Sequence, residues 1–266
     1  MKIGIAGFGT IGKKVALALD QGIEGVELCG VYTRSVAAAR TALAQFRRPV
    51  PVMSMAELAA VADVVVECVP KQAFVEVAPE VIARGKLLVT VSGAALLEHP
   101  ELIAEARRTG SRIILATGAL LGLDAVRAAA EGQIHSVSIV TRKPPRSLAD
   151  APTARKMGID LGALTAPLQL FSGNARDGAR LFPANVNVAA ALGLAGIGPE
   201  RTRLEIWADP ACTRNTHTIV VDADSARLEM RIENVPAEEN PGTGKITALS
   251  VIACVRALTA TLRVGT

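Results

Sequence analysis

An apolar run, Lys2 to Ala6, leads without a spacer into Gly7-Phe8-Gly9-Thr10-Ile11-Gly12, and an apolar-periodic stretch from Ile11 to Leu19 follows at once. A strand, a tight turn and a helix satisfy this juxtaposition. Each glycine then has a physical task. Gly7 permits the turn, Gly9 lets the backbone come close to a pyrophosphate, and Gly12 lets the helix pack closely on the strand. Thr10 and Ile11 open the helix, whose first N–H groups and positive dipole end attract an anion. The motif predicts dinucleotide binding; a glycine turn needed for packing alone is the competing reading, and the place at the head of a strand–helix–strand unit weighs against it.

The first half continues the alternation. Strands are expected at Val26 to Tyr32, Asp63 to Cys68, Lys86 to Val91 and Arg112 to Leu115, with helices at Val36 to Ala44, Gln72 to Arg84 and Pro100 to Arg108. The cores Val64-Val65-Val66 and Leu87-Leu88-Val89 are continuously apolar, as strands covered on both faces must be. This is the pattern of an α/β, doubly wound, Rossmann-type parallel sheet. From about Gly118 the texture changes to alternating runs at Ser136 to Arg142, Arg203 to Ala208, Thr216 to Asp222 and Ala226 to Asn234, read as half-buried antiparallel strands. Helical patterns lie at Leu123 to Glu131, Ala175 to Leu181 and Val188 to Ala195, while the proline-marked stretch from Arg142 to Leu161 reads as a loop. The second lobe is therefore expected to be α+β with a mixed sheet. Because 266 residues exceed what one core comfortably fills, the expected division is residues 1–117 for the dinucleotide, 118–242 for substrate, catalysis and oligomerisation, and 243–266 for a C-terminal helix that can pack back on the first domain.

Composition removes several classes of function. Lys and Arg number 29 against 25 Asp and Glu, dispersed along the chain, and aromatics are 3%, so neither a nucleic-acid footprint nor a base-stacking platform is expected. No uninterrupted apolar run reaches the roughly 18 to 20 residues of a membrane helix, Asp63, Glu67 and Asn187 breaking the longest candidates. The opening residues read as a strand and not a secretion signal. Cys29, Cys68, Cys212 and Cys254 are far apart, which suits a reducing, cytoplasmic compartment and gives no metal-ligand spacing. No metal is expected. There is no G-x-S-x-G elbow and no Walker lysine loop.

The remaining chemistry rests on few residues. The second predicted strand ends in Tyr32-Thr33-Arg34-Ser35, without the carboxylate that receives a ribose 2′-hydroxyl in NAD-selective folds. Arg34 suits a 2′-phosphate and favours NADP acceptance; the alternative leaves Ser35 as a helix cap and Arg34 in solvent. Of the three histidines, His99 and His135 read as surface or capping residues, and His217 heads a strand of the second lobe. Asn185 and Asn187 precede an apolar helix, as caps or as ligand-binding amides. Gly118-Ala119 follows the Arg112 to Leu115 strand, where small residues let a ligand lie on the backbone.

Over nearly its whole length the chain resembles the L-aspartate dehydrogenases. The resemblance is carried by Gly7 to Gly12, Ser92-Gly93-Ala94, Gly118-Ala119, Gly122-Leu123-Asp124-Ala125, Thr141-Arg142-Lys143-Pro144-Pro145, Phe182-Pro183-x-Asn185-x-Asn187-Val188-Ala189-Ala190, Ala208-Asp209-Pro210, Asn215-x-His217 and Asn240-Pro241-x-Thr243. It implies NAD- or NADP-dependent interconversion of L-aspartate with iminosuccinate, or oxaloacetate and ammonia. It further implies a homodimer, His217 as the catalytic proton-transfer residue, and Ala119 and Asn187 as dinucleotide contacts. Gly242 and Gly244 depart from the Lys and Ser more usual in the family. The rival expectations are another imine reductase resembling dihydrodipicolinate reductase, which would lack the Phe-Pro-x-Asn-x-Asn tract, and a non-catalytic NAD(P)-sensing protein, against which His217 argues.

Overall fold

The computed structural model describes residues 1–120, 122–149, 151–156, 158–182, 186–240 and 242–265. The chain divides into two units, Met1–Ala116 with Thr247–Arg263, and Thr117–Ile246 with the chain end from Val264.

The first unit contains β1 (Lys2–Ala6), α1 (Thr10–Gln21), β2 (Glu27–Tyr32), α2 (Val36–Leu43), α3 (Met55–Val61), β3 (Val64–Glu67), α4 (Phe74–Ala83), β4 (Leu87–Thr90), α5 (Gly93–Glu98), α6 (Glu101–Thr109) and β5 (Arg112–Leu115). The strands form one sheet in the order β2-β1-β3-β4-β5, every pair parallel. Alternate side chains feed two cores. Ile3, Ile5, Val64 and Val66 meet Val15, Leu19, Ala39 and Leu43 on one face. Val65 and Leu88 meet Leu58, Phe74, Val77, Val81 and Leu102 on the other. Burial on both faces is why Val64-Val65-Val66 carries no polar alternation.

The second unit contains α7 (Leu123–Ala130), β6 (Ile134–Lys143), α8 (Pro152–Lys156), β7 (Leu168–Asn174), α9 (Ala175–Leu181), α10 (Asn187–Ala195), β8 (Thr202–Ala208), β9 (Asn215–Ala223) and β10 (Arg227–Asn234). Its sheet runs β10-β9-β6-β8-β7. The chain's last helix, α11 (Lys245–Ala257), places Val251 and Val255 in the first unit's core beside α1 and α2.

Three local expectations change. The strand at Arg203 to Ala208 was expected to be antiparallel; β8 is antiparallel to β7 on one side but parallel to β6 on the other, since alternation reports one covered face and is blind to strand direction. The C-terminal helix, expected within residues 243–266, spans Lys245–Ala257, because apolar periodicity marks neither end without caps. The stretch read as loop between Arg142 and Leu161 begins inside β6 and carries α8. The helix α3 escaped notice although Ser54 and Glu57 form a reciprocal capping box, a signal written in the sequence.

Among the described residues, no helix is long and apolar enough to cross a membrane, and no group of three His, Cys, Asp or Glu side chains could hold a metal ion.

Candidate active site

In the first unit, β2 lies on one side of β1 and β3 on the other, so the sheet has its topological switch between β1 and β3. Ligands of open α/β sheets bind outside the carboxyl ends of such strands. Gly7 leaves β1 there with φ of +97°, and its N–H donates to the Tyr32 carbonyl at 2.8 Å. A Cβ on Gly7 would stand 2.6 Å from the Cys68 carbonyl oxygen, and one on Gly12 would stand 1.9 Å from the Gly7 carbonyl oxygen. Packing alone therefore demands both glycines. Gly9 is different: a Cβ there would meet nothing within 4 Å. Space lies open over the backbone that leads into α1, whose first turn has neither a side-chain cap nor an acidic residue. Thr10 and Ile11 are half-buried in that turn. An uncapped helix N-terminus beneath an open glycine fits the pyrophosphate of a dinucleotide.

At the end of β2, Arg34 is exposed, and Ser35 precedes α2 without a side-chain cap bond. The carboxylate missing from the linear neighbourhood arrives from another element. Glu76, in the first turn of α4, accepts a hydrogen bond from the Tyr32 hydroxyl at 3.1 Å.

Glu67 ends β3 beside Ala6 and Thr90. It is fully buried. It accepts hydrogen bonds from the Val69 N–H at 2.8 Å, the Ser92 hydroxyl at 3.1 Å and the Thr90 hydroxyl. Burial nevertheless pushes its carboxyl up to about 7, against the three donors. The sequence reading missed this residue. An acidic side chain closing the apolar run from Asp63 to Cys68 was the available signal.

In the second unit, one face of the sheet is buried, and its character changes along the strands. Val137 and Ile139 of β6, Leu204 and Ile206 of β8, and Ile219 and Val221 of β9 are aliphatic. Toward one end the same face becomes polar, with Thr141, Lys143, Asn215, His217 and Asn234 all buried. Strand geometry explains the grouping. Thr141 and Lys143 follow Ile139 at intervals of two, Thr141 is paired with His217, and Asn215 is paired with Asn234. Burying so many polar groups on a core face is costly unless they are satisfied or used.

His217 sits 3.0 Å through Nδ1 from the Thr141 hydroxyl, a contact that orients the ring. Burial first, and the charge on Lys143 second, push the imidazole down to about 3, so it is neutral at physiological pH. Burial also pulls the Lys143 ammonium down to about 8. The end of β6 is anchored from β8: the Asp209 N–H donates to the Lys143 carbonyl at 2.9 Å, and the Asp209 carboxylate takes Arg142 at 3.2 Å. Ala119, half-buried, accepts a 3.4 Å hydrogen bond from the Asn234 amide. Asn187 is exposed as the first residue of α10, whose N-cap is Val186 without a side-chain bond. Asn185 lies outside the described residues. His135 is exposed on β6, and His99 bonds Glu101 at 2.9 Å and stacks on Phe74. The structure thus gathers Gly7, Gly9, Thr10, Ile11, Gly12 and Arg34 in the first unit, and joins Ala119 to the polar end of the second sheet that holds His217.

A parallel sheet with this glycine turn at its switch point, followed by a mixed-sheet unit, defines the class of NAD(P)-dependent oxidoreductases built from two units. Residues 7–116 match the family model described as homoserine dehydrogenase, NAD binding domain, and residues 124–258 match aspartate dehydrogenase, C-terminal. The chain is 52% identical to L-aspartate dehydrogenase of Bradyrhizobium diazoefficiens over 100% of its length and 94% of the relative's. It is 49% identical to L-aspartate dehydrogenase 3 of Bordetella bronchiseptica, over 99% of this chain and 97% of that one. The chain belongs to the aspartate dehydrogenase family. Its fold is shared with the crystal structure of aspartate dehydrogenase from Thermotoga maritima, at a TM-score of 0.73 and 24% identity over 100% of this chain and 99% of that one.

Proposed function

We propose that this chain catalyses the NAD(P)-dependent interconversion of L-aspartate with iminosuccinate, or with oxaloacetate and ammonia. The observation that carries the reading is the polar end of the second unit's buried sheet face, where a neutral imidazole and a buried ammonium stand on adjacent strands. Bound nicotinamide would supply or accept the hydride. Gly7, Gly9 and Gly12, with the N–H groups at Thr10 and Ile11, hold the pyrophosphate, and Ala119 and Asn187 contact the dinucleotide, as the family resemblance implies. Lys143 attracts a substrate carboxylate. His217 takes the proton from the amine in the oxidative direction and returns it in the reverse. A carboxylate near the pair raises the pKa of both groups, so the arriving anion strengthens His217 as a base.

The test is a spectrophotometric screen of oxaloacetate plus ammonia against NADH and NADPH, with other 2-oxo acids as controls and L-aspartate with NAD+ or NADP+ in reverse. Turnover in either direction is expected. Intact cofactor binding with no turnover in both would favour the sensor reading.

For cofactor choice, exposed Arg34 at the end of β2 supports NADP acceptance, and Arg34→Ala should raise the KM for NADPH about 10-fold and leave that for NADH unmoved. Strong NAD selectivity in the parent, unchanged by the substitution, rejects this assignment and turns attention to Glu76. A cytoplasmic homodimer belongs to the same reading. Four free thiols suit a reducing compartment, and a second copy would cover the half-exposed sheet face carrying Val140, Trp207 and Val220.

A further inference from the structure

Among the described residues, two acceptors at the polar end of the second sheet have no donor. Asn215 and Asn234 are 5% and 3% exposed, and the Oδ1 atom of each is buried without a hydrogen-bond partner among the described residues. They are directly paired across β9 and β10, on the face that carries His217 two residues beyond Asn215. The Asn234 Nδ2 donates to the Ala119 carbonyl, which identifies its other amide atom as the acceptor. A buried polar atom left unbonded lowers stability, and native structures retain few of them.

The deficit is of a single kind. Two oxygens need N–H or O–H groups, and neither can recognise a carboxylate. Lys143, on the same face, carries the opposite chemistry, a buried ammonium that donates. Together they complement a molecule with an anionic end and a donor-rich end. A hydroxyl presents one hydrogen-bond donor, whereas an amine or ammonium presents two or three. Resting on the function proposed above, we propose that Asn215 and Asn234 form the subsite for the substrate nitrogen: the α-amino group of L-aspartate in one direction, and the protonated imine, with its two N–H groups, or ammonia in the other. The pair would thereby select 2-amino acids over 2-hydroxy acids of the same carbon skeleton.

The experiment measures reductive amination of oxaloacetate by wild type, Asn215→Leu, Asn234→Leu and Asn215→Asp, varying ammonium and oxaloacetate separately, together with melting temperatures. Leucine keeps the branching of the asparagine side chain, is larger, and cannot accept. Either leucine variant should raise the ammonium KM about 10- to 100-fold, the range expected for a lost hydrogen bond to a charged group, while the oxaloacetate KM moves less than about threefold. Asn215→Asp retains an acceptor and should hold the ammonium KM at or below that of wild type. The melting temperatures report what the larger buried side chain costs, so that this cost is read separately from the kinetics. An unmoved ammonium KM in both leucine variants of an active enzyme overturns the subsite and leaves the proposed function standing. A lowered melting temperature with that unmoved KM assigns the amides to packing. A wild type that aminates no 2-oxo acid overturns the function, and the subsite falls with it.

Discussion

Replacing His217 with alanine is expected to lower kcat for L-aspartate oxidation about 10²- to 10⁴-fold, the range a positioned proton-transfer group contributes, with dinucleotide affinity nearly unchanged. The imidazole is 3% exposed and held by Thr141, so its loss also leaves a cavity, and reduced activity alone would be ambiguous. Kinetics separate the two effects. An interaction made mainly in the transition state lowers kcat and kcat/KM together, whereas lost ground-state binding appears mainly in KM. His217→Gln fills most of the volume and can still bond Thr141, so it should fold like the parent and remain slow. The pH profile adds a second check. With the imidazole pushed down to about 3 in the free protein, kcat/KM should show no histidine limb near the usual value of about 6.5. A near-normal kcat in the glutamine variant would remove His217 from proton transfer.

The strand pattern placed His217 at the head of a strand and the family resemblance implied its role, but neither identified its neighbours, for a physical reason. The doubly wound unit was legible because covering both sheet faces leaves continuous apolar cores such as Val64-Val65-Val66, and because the glycine turn has one plausible setting between a strand and a helix. Thr141 and Lys143 stood in a motif already singled out, yet alternation from Ile139 would have assigned both to the covered face. A lysine at a core position is informative in itself, since lysine is almost never fully buried without a partner or a use. Asn215 and Asn234 are nineteen residues apart and become neighbours only through the β9–β10 register. Glu76 reaches Tyr32 across 44 residues by way of α4. Such juxtapositions belong to the topology, which linear spacing does not encode. The parallel pairing of β8 with β6 is another case, because the same alternation serves either direction.

Glu67 gives the second large effect, on stability. Its carboxyl lies at about 7 in the folded protein against 4.5 for the free group, because burial outweighs the donors Val69, Thr90 and Ser92. The folded state therefore holds a proton that the unfolded chain releases between those values. Stability from this group is complete below about pH 4.5 and is lost as the pH rises through about 7, a change of about 3 kcal/mol. Glu67→Gln keeps the size of the side chain and a carbonyl acceptor but cannot ionise. Urea midpoints at pH 5 and pH 8 should fall further for wild type than for the glutamine variant, by about that amount after conversion through the m-value. Equal pH dependence in the two proteins would mean that the folded carboxyl ionises near its ordinary value and that the three donors balance burial. The location gives the result a functional edge. Glu67 joins the end of β3 to Thr90 and to Ser92, the residue before α5, beside the switch point where the glycine turn leaves β1. Ionisation near neutral pH acts on the same strand ends that frame the proposed dinucleotide site, so wild type should lose dinucleotide affinity above pH 7 in step with stability, and Glu67→Gln should not.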